Sequence, residues 1–476
     1  MSLAIPTVAA GAAEWLKTDA GDFVVYSDAP PNTATSFAVR YGAYREAFKE
    51  MLLAPGSEMP PAVLIVFRSV KALDEHTPAY KSRDANLINY SIEVDGTAVD
   101  TFSSAGDSDS ALTTTLEFDT IWMLPRAGCY VPLWMSQGAG KVLATTSKKG
   151  GKWIVGGSRE SGFEYSWERL FQISAASKEY QPPNNADYHL QIWGLMHWVL
   201  LKDADTRARF LDLARRLRTE APEEAVSGVM GTPLAGLKKE IVQHQRKWAP
   251  REVAFDEAAF RARLNVSPAP RVEMLVWTAD LFASIGKPWR SDTNLDEALA
   301  IAPELALVQE AWGRRMIRED RHEDSVTSYR RAISAGSRNY MAYQLSGTEH
   351  LRDAERNSGA FRNRVGAGGK AATLALSELR QAVLLNPSST YALESFGRAL
   401  YLSPEVNAED VSFLRDRAEP GEMGAAARIQ LALVLTRSDP GEAVPILREI
   451  INNPDVSSRN RSEAQKIMNS LVERSR

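Results

Sequence analysis

The second half of the chain is helical with a period, and that period restricts its architecture more than any other feature. From residue 272 onward, apolar residues recur at i, i+3 and i+4 spacing. Cut into blocks of 34, residues 272–305 carry Ala298 and Pro303 at block positions 27 and 32. Residues 306–339 carry Gly313 and Ala332 at positions 8 and 27. A third block, 340–389, closes with Ala382 and Pro387 once "RNSGAFRNRVGAGGKA" is taken as an insertion. Blocks at 390–424 and 425–458 are more degenerate, and 459–476 suits a capping helix. Small residues at fixed block positions let paired helices approach closely, and a proline ends the second helix of each pair. A unit of this size buries its apolar face only against its neighbours, so the expected form is an all-α, right-handed solenoid.

The first half reads differently. "DFVVYSDA" (22–29), "AVLIVFRS" (62–69) and "WIVGG" (153–157) are short β-rich runs bounded by turn residues. Residues 34–53 and 112–124 have helical spacing, and helices dominate again from 164 to 247. The expected organisation is an α+β domain over 1–250, a proline-containing linker over 251–271 and the solenoid over 272–476. A chain of 476 residues can give each part its own core.

Composition excludes several classes. With a formal net charge of −4, the chain lacks the basic surplus that nucleic acid or an anionic membrane would require. No run of about 18 apolar residues exists, so no transmembrane segment is expected. The single cysteine, Cys129, excludes an intrachain disulfide and a multi-cysteine metal site, and a buried structural thiol is the expectation for it. The opening "MSLAIPTVAAGAAEW" has the small residues of a signal-peptide end but no basic n-region. It is read either as a plain leader or as the remnant of an export signal.

The order of segments carries a resemblance. "WLKTDAGDFVVYSDA", "AVLIVFRSVKAL", the helix containing "TTTLEFDTIWML" and "VPLWMSQGAGKVLATT" follow one another in the first half. "LQIWGLMHWVLLKDADTRARFLDLARRL" and "GTPLAGLKKEIVQHQR" complete the series. In this order they resemble the domain of bacterial gluzincin-type peptidases that carry C-terminal tetratricopeptide repeats, and the 34-residue blocks resemble those repeats. The resemblance implies a gluzincin-like α+β fold and favours a location outside the cytoplasm. It also implies a zinc helix, His-Glu-x-x-His, which sets two imidazoles on one helical face with a glutamate as general base. A glutamate on the next helix completes the ligands.

Carried onto this chain, the two histidines fall on Leu116 and Thr120, the base on Glu117 and the third ligand on Gln137. Pro132, Trp134 and Gly138 match the surrounding segment, and Lys141 stands where the family has a glutamate. Leucine has no lone pair, and a neutral hydroxyl and amide replace imidazole and carboxylate poorly. The expectation is therefore a degenerate site with no bound metal, no cofactor and no functional catalytic residue. None of the six histidines forms a His-Glu-x-x-His pair, since His322-Glu323 is followed by Val326 at the second ligand position. His197 reads as a packed helix histidine. "QGAGK" and "GAGGK" lack P-loop spacing and its Ser/Thr.

Repeat arrays of this kind bind extended segments along the groove lined by the first helix of each repeat. Inward block positions here carry Arg314, Arg318, Arg352 and Arg398, which suits the carboxylates of a protein partner or acidic peptide. The function expected is a catalytically inactive, peptidase-like scaffold binding its partner through the repeats. The alternative is an active zinc peptidase with a non-standard ligand set.

Overall fold

The computed structural model describes residues 15–76, 89–103, 108–129, 131–157, 162–174, 177–180, 185–203, 205–217, 220–247, 249–357, 369–417, 422–453 and 456–474. The leader at the N-terminus and residues 358–368 of the insertion lie outside the described residues. Along the chain run β1 (Leu16–Asp19), β2 (Phe23–Ser27), α1 (Pro31–Leu52), β3 (Ala62–Phe67), α2 (Val70–His76), β4 (Asn89–Val94) and β5 (Thr97–Ser103). There follow α3 (Ser108–Arg126), α4 (Leu133–Leu143), β6 (Ser147–Lys149), β7 (Lys152–Val155), α5 (Trp167–Gln172) and α6 (Asn185–Leu201). Next come α7 (Thr206–Arg216), α8 (Pro222–Met230), α9 (Leu234–Lys247), β8 (Arg251–Glu252), α10 (Glu257–Arg263) and β9 (Asn265–Pro268).

The main sheet has the order β4-β5-β3-β2-β1-β9, with β2, β3 and β5 mutually parallel. Central β3 is buried at every position, which is why it reads as the unbroken apolar run "AVLIVF" rather than as alternation. Side chains alternate between the two faces. Leu64 and Val66 join Val25 and Phe102 in the core built with α1 and α3, through Phe37, Tyr41 and Leu116. Val63, Ile65 and Phe67 face the other way, with Tyr26, Val99 and Leu73 of α2. That second face is closed by Met274 and Trp277, which belong to the first helix of the helical region.

This region comprises α11 (Arg271–Ser284), α12 (Pro288–Ile301), α13 (Ala306–Arg318), α14 (His322–Ser334), α15 (Tyr340–Asn357) and α16 (Gly369–Leu385). It continues through α17 (Thr390–Leu402), α18 (Ala408–Arg415), α19 (Glu422–Ser438), α20 (Pro440–Asn452) and α21 (Ser458–Arg474). The chain is thus a mixed α/β N-terminal sheet domain followed by a mostly helical region. Helices α11 and α12, α13 and α14, and α15 and α16 pack as pairs, and α11 also meets α13 as α15 meets α17. Short α18 leaves α17 to pack directly on α19. Ala298, Ala332 and Ala382 are fully buried. A Cβ on Gly313 would lie 2.7 Å from the Tyr329 ring, so the smallest residue is required at that crossing.

The stretch read as a linker is folded into the first domain. β9 pairs antiparallel with β1 from Leu16↔Pro268 to Asp19↔Asn265, and β8 extends the small β6-β7 sheet. Between them Phe260 is 3 % exposed. Its ring stacks on Phe23 at 6.3 Å and sits so close to Gly42 of α1 that a Cβ there would be 2.5 Å away. The prolines suggested a break, yet they bound elements: Pro268 ends β9 and Pro270 caps α11. A linker phenylalanine would be expendable, whereas Phe260→Ala should destabilise the protein by about 3 kcal/mol or more, read as a lowered urea midpoint.

Candidate functional site

The segment resembling a zinc helix is α3, and it packs against α4 as expected. The two backbones meet where a Cβ on Gly140 would lie 2.7 Å from the Glu117 carbonyl oxygen. On the other side of α4, a Cβ on Gly138 would lie 2.7 Å from the Ile192 carbonyl oxygen of α6. The glycines of "QGAGK" therefore serve close helix packing on two faces.

Leu116 and Thr120 lie one turn apart on the inner face of α3 and are fully buried. Leu116 is part of the sheet-facing core. The Thr120 hydroxyl lies 3.1 Å from the Leu116 carbonyl and 2.8 Å from the Tyr44 hydroxyl. Glu117 turns away from this face toward α4, where Lys141 Nζ sits 3.0 Å from its carboxylate; the side chains are 30 % and 15 % exposed. Gln137, one turn before Lys141, donates from Nε2 to the Tyr180 hydroxyl at 2.8 Å, while its Oε1 is buried without a partner. Glu117 and Gln137 are thus on adjacent helices, but Glu117 is held by Lys141 and Gln137 by Tyr180. His189 of α6 completes the surroundings: burial, and then the Lys141 charge, hold its imidazole down at about 4.

These residues do not fit a zinc ion. Leu116 offers no donor atom, Thr120 points into the core, and the ammonium of Lys141 neutralises Glu117. Among the described residues, no group of three or more His, Cys, Asp or Glu is arranged to hold a metal. Beside Thr120, Asp119 forms a buried carboxyl pair with Asp100 of β5. Tyr41 donates to Asp119 at 2.5 Å and Ser91 donates to Asp100. Burial drives both carboxyls upward, and the hydrogen bond between them accommodates one shared proton. Cys129 is buried, as expected.

His197 is the packed helix histidine expected from the sequence, and it has a partner the sequence did not reveal. Its Nδ1 lies 3.0 Å from Nε2 of His244 on α9. Burial and the second imidazole hold His197 down at about 4.

The four arginines have different fates. Arg314 is buried: its guanidinium lies 2.5 Å from Asp280 of α11 and 2.6 Å from Asp95. Asp95 belongs to the first domain, at the tip of the β4-β5 hairpin, where it and Gly96 both have positive φ (49° and 86°). The sequence carries the signal for this turn as "VDGT", an Asp-Gly pair between alternating runs. Arg318 lies 3.2 Å from the Ser291 hydroxyl. Arg352 pairs with Glu349 at 2.8 Å and is 55 % exposed, while Arg398 pairs with Glu355 and is 53 % exposed. The four do not form one free surface, because Arg314 already holds an acidic residue of its own chain.

No family model, curated protein or solved structure matches the chain.

Two expectations follow. His189 and His197 hold folded values near 4 against an ordinary value of 6.5, so the unfolded chain takes up protons first as pH falls. Their contribution is complete above about pH 6.5 and is lost progressively toward pH 4. Urea unfolding between pH 7 and 5 should show stability falling, with a shallower slope in the His189→Gln/His197→Gln double variant. Arg314→Ala leaves Asp280 and Asp95 buried without their cation and should cost about 3–5 kcal/mol, seen as a large drop in melting temperature.

Proposed function

We propose that this protein is a non-catalytic interaction scaffold, in which a peptidase-like domain supports a tetratricopeptide-like helical solenoid that captures an acidic protein segment. The observation that carries the non-catalytic part is the Lys141–Glu117 contact of 3.0 Å. A general base must be free to take a proton from water, and this carboxylate instead neutralises an ammonium group on the neighbouring helix. Leu116 and Thr120, turned into the core, support the same reading. Burial of Ala298, Ala332 and Ala382 at matching block positions supports the solenoid.

Capture is assigned to the face around α15 and α17. Arg352 and Arg398 are more than half exposed, and their present partners are surface carboxylates. Exposed pairs of this kind are worth only about 0–1 kcal/mol, so a partner's carboxylate displaces them cheaply. The test uses fluorescence anisotropy with a labelled Glu-rich decapeptide at low salt, where such contacts are strongest. Arg352→Ala/Arg398→Ala should weaken binding about tenfold, whereas unchanged affinity would remove this face from the proposal. Elemental analysis of the purified protein should find far less than one zinc per chain, and near-stoichiometric zinc with peptide cleavage would favour the peptidase alternative.

A further inference from the structure

The helical region presents a polar pocket with its occupant in place. Asp95 Oδ2 accepts from Arg314 Nη1 at 2.6 Å, from Asn339 Nδ2 at 2.8 Å and from the Tyr329 hydroxyl at 3.4 Å. These donors come from α13, α14 and the turn leading into α15, so they converge only in the assembled array. Beside the carboxylate, the Tyr340 ring is so close to Gly96 that a Cβ there would lie 2.9 Å away. The pocket therefore selects two things at once: an acidic side chain, and a following glycine in the left-handed conformation.

We propose that Arg314, Tyr329, Asn339 and Tyr340 form a receptor for an acidic Asp-Gly turn, and that a partner protein docks by exchanging such a turn for the chain's own β4-β5 hairpin. The proposal rests on the reading that the helical region captures protein segments, and it names the kind of segment and a second place of capture. Three features make the hairpin exchangeable. β4 is an edge strand of the main sheet, so the turn lies at the sheet's margin rather than in its interior. The two parts of the protein are joined independently of the tip: Met274 and Trp277 close the sheet, and Glu273 accepts from Tyr26 at 2.5 Å and pairs with Lys17 at 2.9 Å. A cavity of about 950 Å³, lined in part by Gly96, Glu310, Arg338 and Tyr340, opens beside the seated turn and gives an incoming turn room to approach.

The probe is a fluorescein-labelled peptide of residues 89–103, NYSIEVDGTAVDTFS, measured by anisotropy against the full chain. Asp95→Asn in the protein removes the internal charge while keeping a residue that tolerates positive φ. It should bind the peptide at least tenfold more tightly than the wild type, and a peptide with Asn in place of its Asp-Gly aspartate should not bind. Hydrogen–deuterium exchange of the wild type in excess peptide should accelerate at the β4 and β5 amides, which reads the exchange without any variant. Equal binding of both peptides, or exchange at β4-β5 unaltered by peptide, would overturn the receptor. If affinity instead follows Arg352→Ala/Arg398→Ala, the receptor fails while the capturing face stands; a hairpin peptide bound at neither surface overturns the receptor and leaves the capturing face to the Glu-rich decapeptide.

Discussion

Everything in the arrangement depends on one strand being apolar on both sides. β3 offers Leu64 and Val66 to one face and Val63, Ile65 and Phe67 to the other. Each exposed side chain of that kind forfeits about 1.5–3 kcal/mol of burial, so neither face can be left open. α1 and α3 cover the first. On the second face, α2 contributes Leu73 and Trp15 packs on Phe67, and α11 adds Met274 and Trp277. The helical region therefore completes the second face of the sheet domain's core.

The same balance between burial and exposure sorts the arginines. All four sit on helices α13, α15 and α17, and sequence spacing treats them alike. In the fold, Arg314 is desolvated against two carboxylates, where a missing partner is costly. Arg352 and Arg398 remain in water, where their pairs are weak and replaceable. Helical periodicity tells which residues share a helix face; what already stands against that face comes from another part of the chain.

That distinction explains what could be read in advance. Helix positions followed from periodicity, and the small residues Gly313, Ala332 and Ala382 fell where close crossings require them. Of the strands, the fully buried β3 was legible because both faces are apolar. β9 was not: "NVSP" is a four-residue edge strand with three exposed or nearly exposed positions and little apolar signal of its own. Around the contact of α3 with α4, Leu116, Glu117 and Thr120 were placed on one helix from the sequence. Tyr180 and His189 were not associated with them, because their proximity depends on how α4 meets α6 through Gly138. The Asp95 contact joins residues 219 positions apart, and no local pattern encodes that distance.

The pairing of β1 with β9 also bears on the order in which the protein takes shape during synthesis. β1 has β2 as an immediate neighbour along the chain, but its other edge pairs with residues 265–268. As the chain leaves the ribosome, that edge stays unpaired until nearly the whole first domain has emerged. The apolar second face of β3 waits slightly longer, for α11. Completion of the sheet is thus a late event with long sequence separation, slow by its topology, and the nascent chain remains open to strand addition at β1 until residues 265–268 emerge.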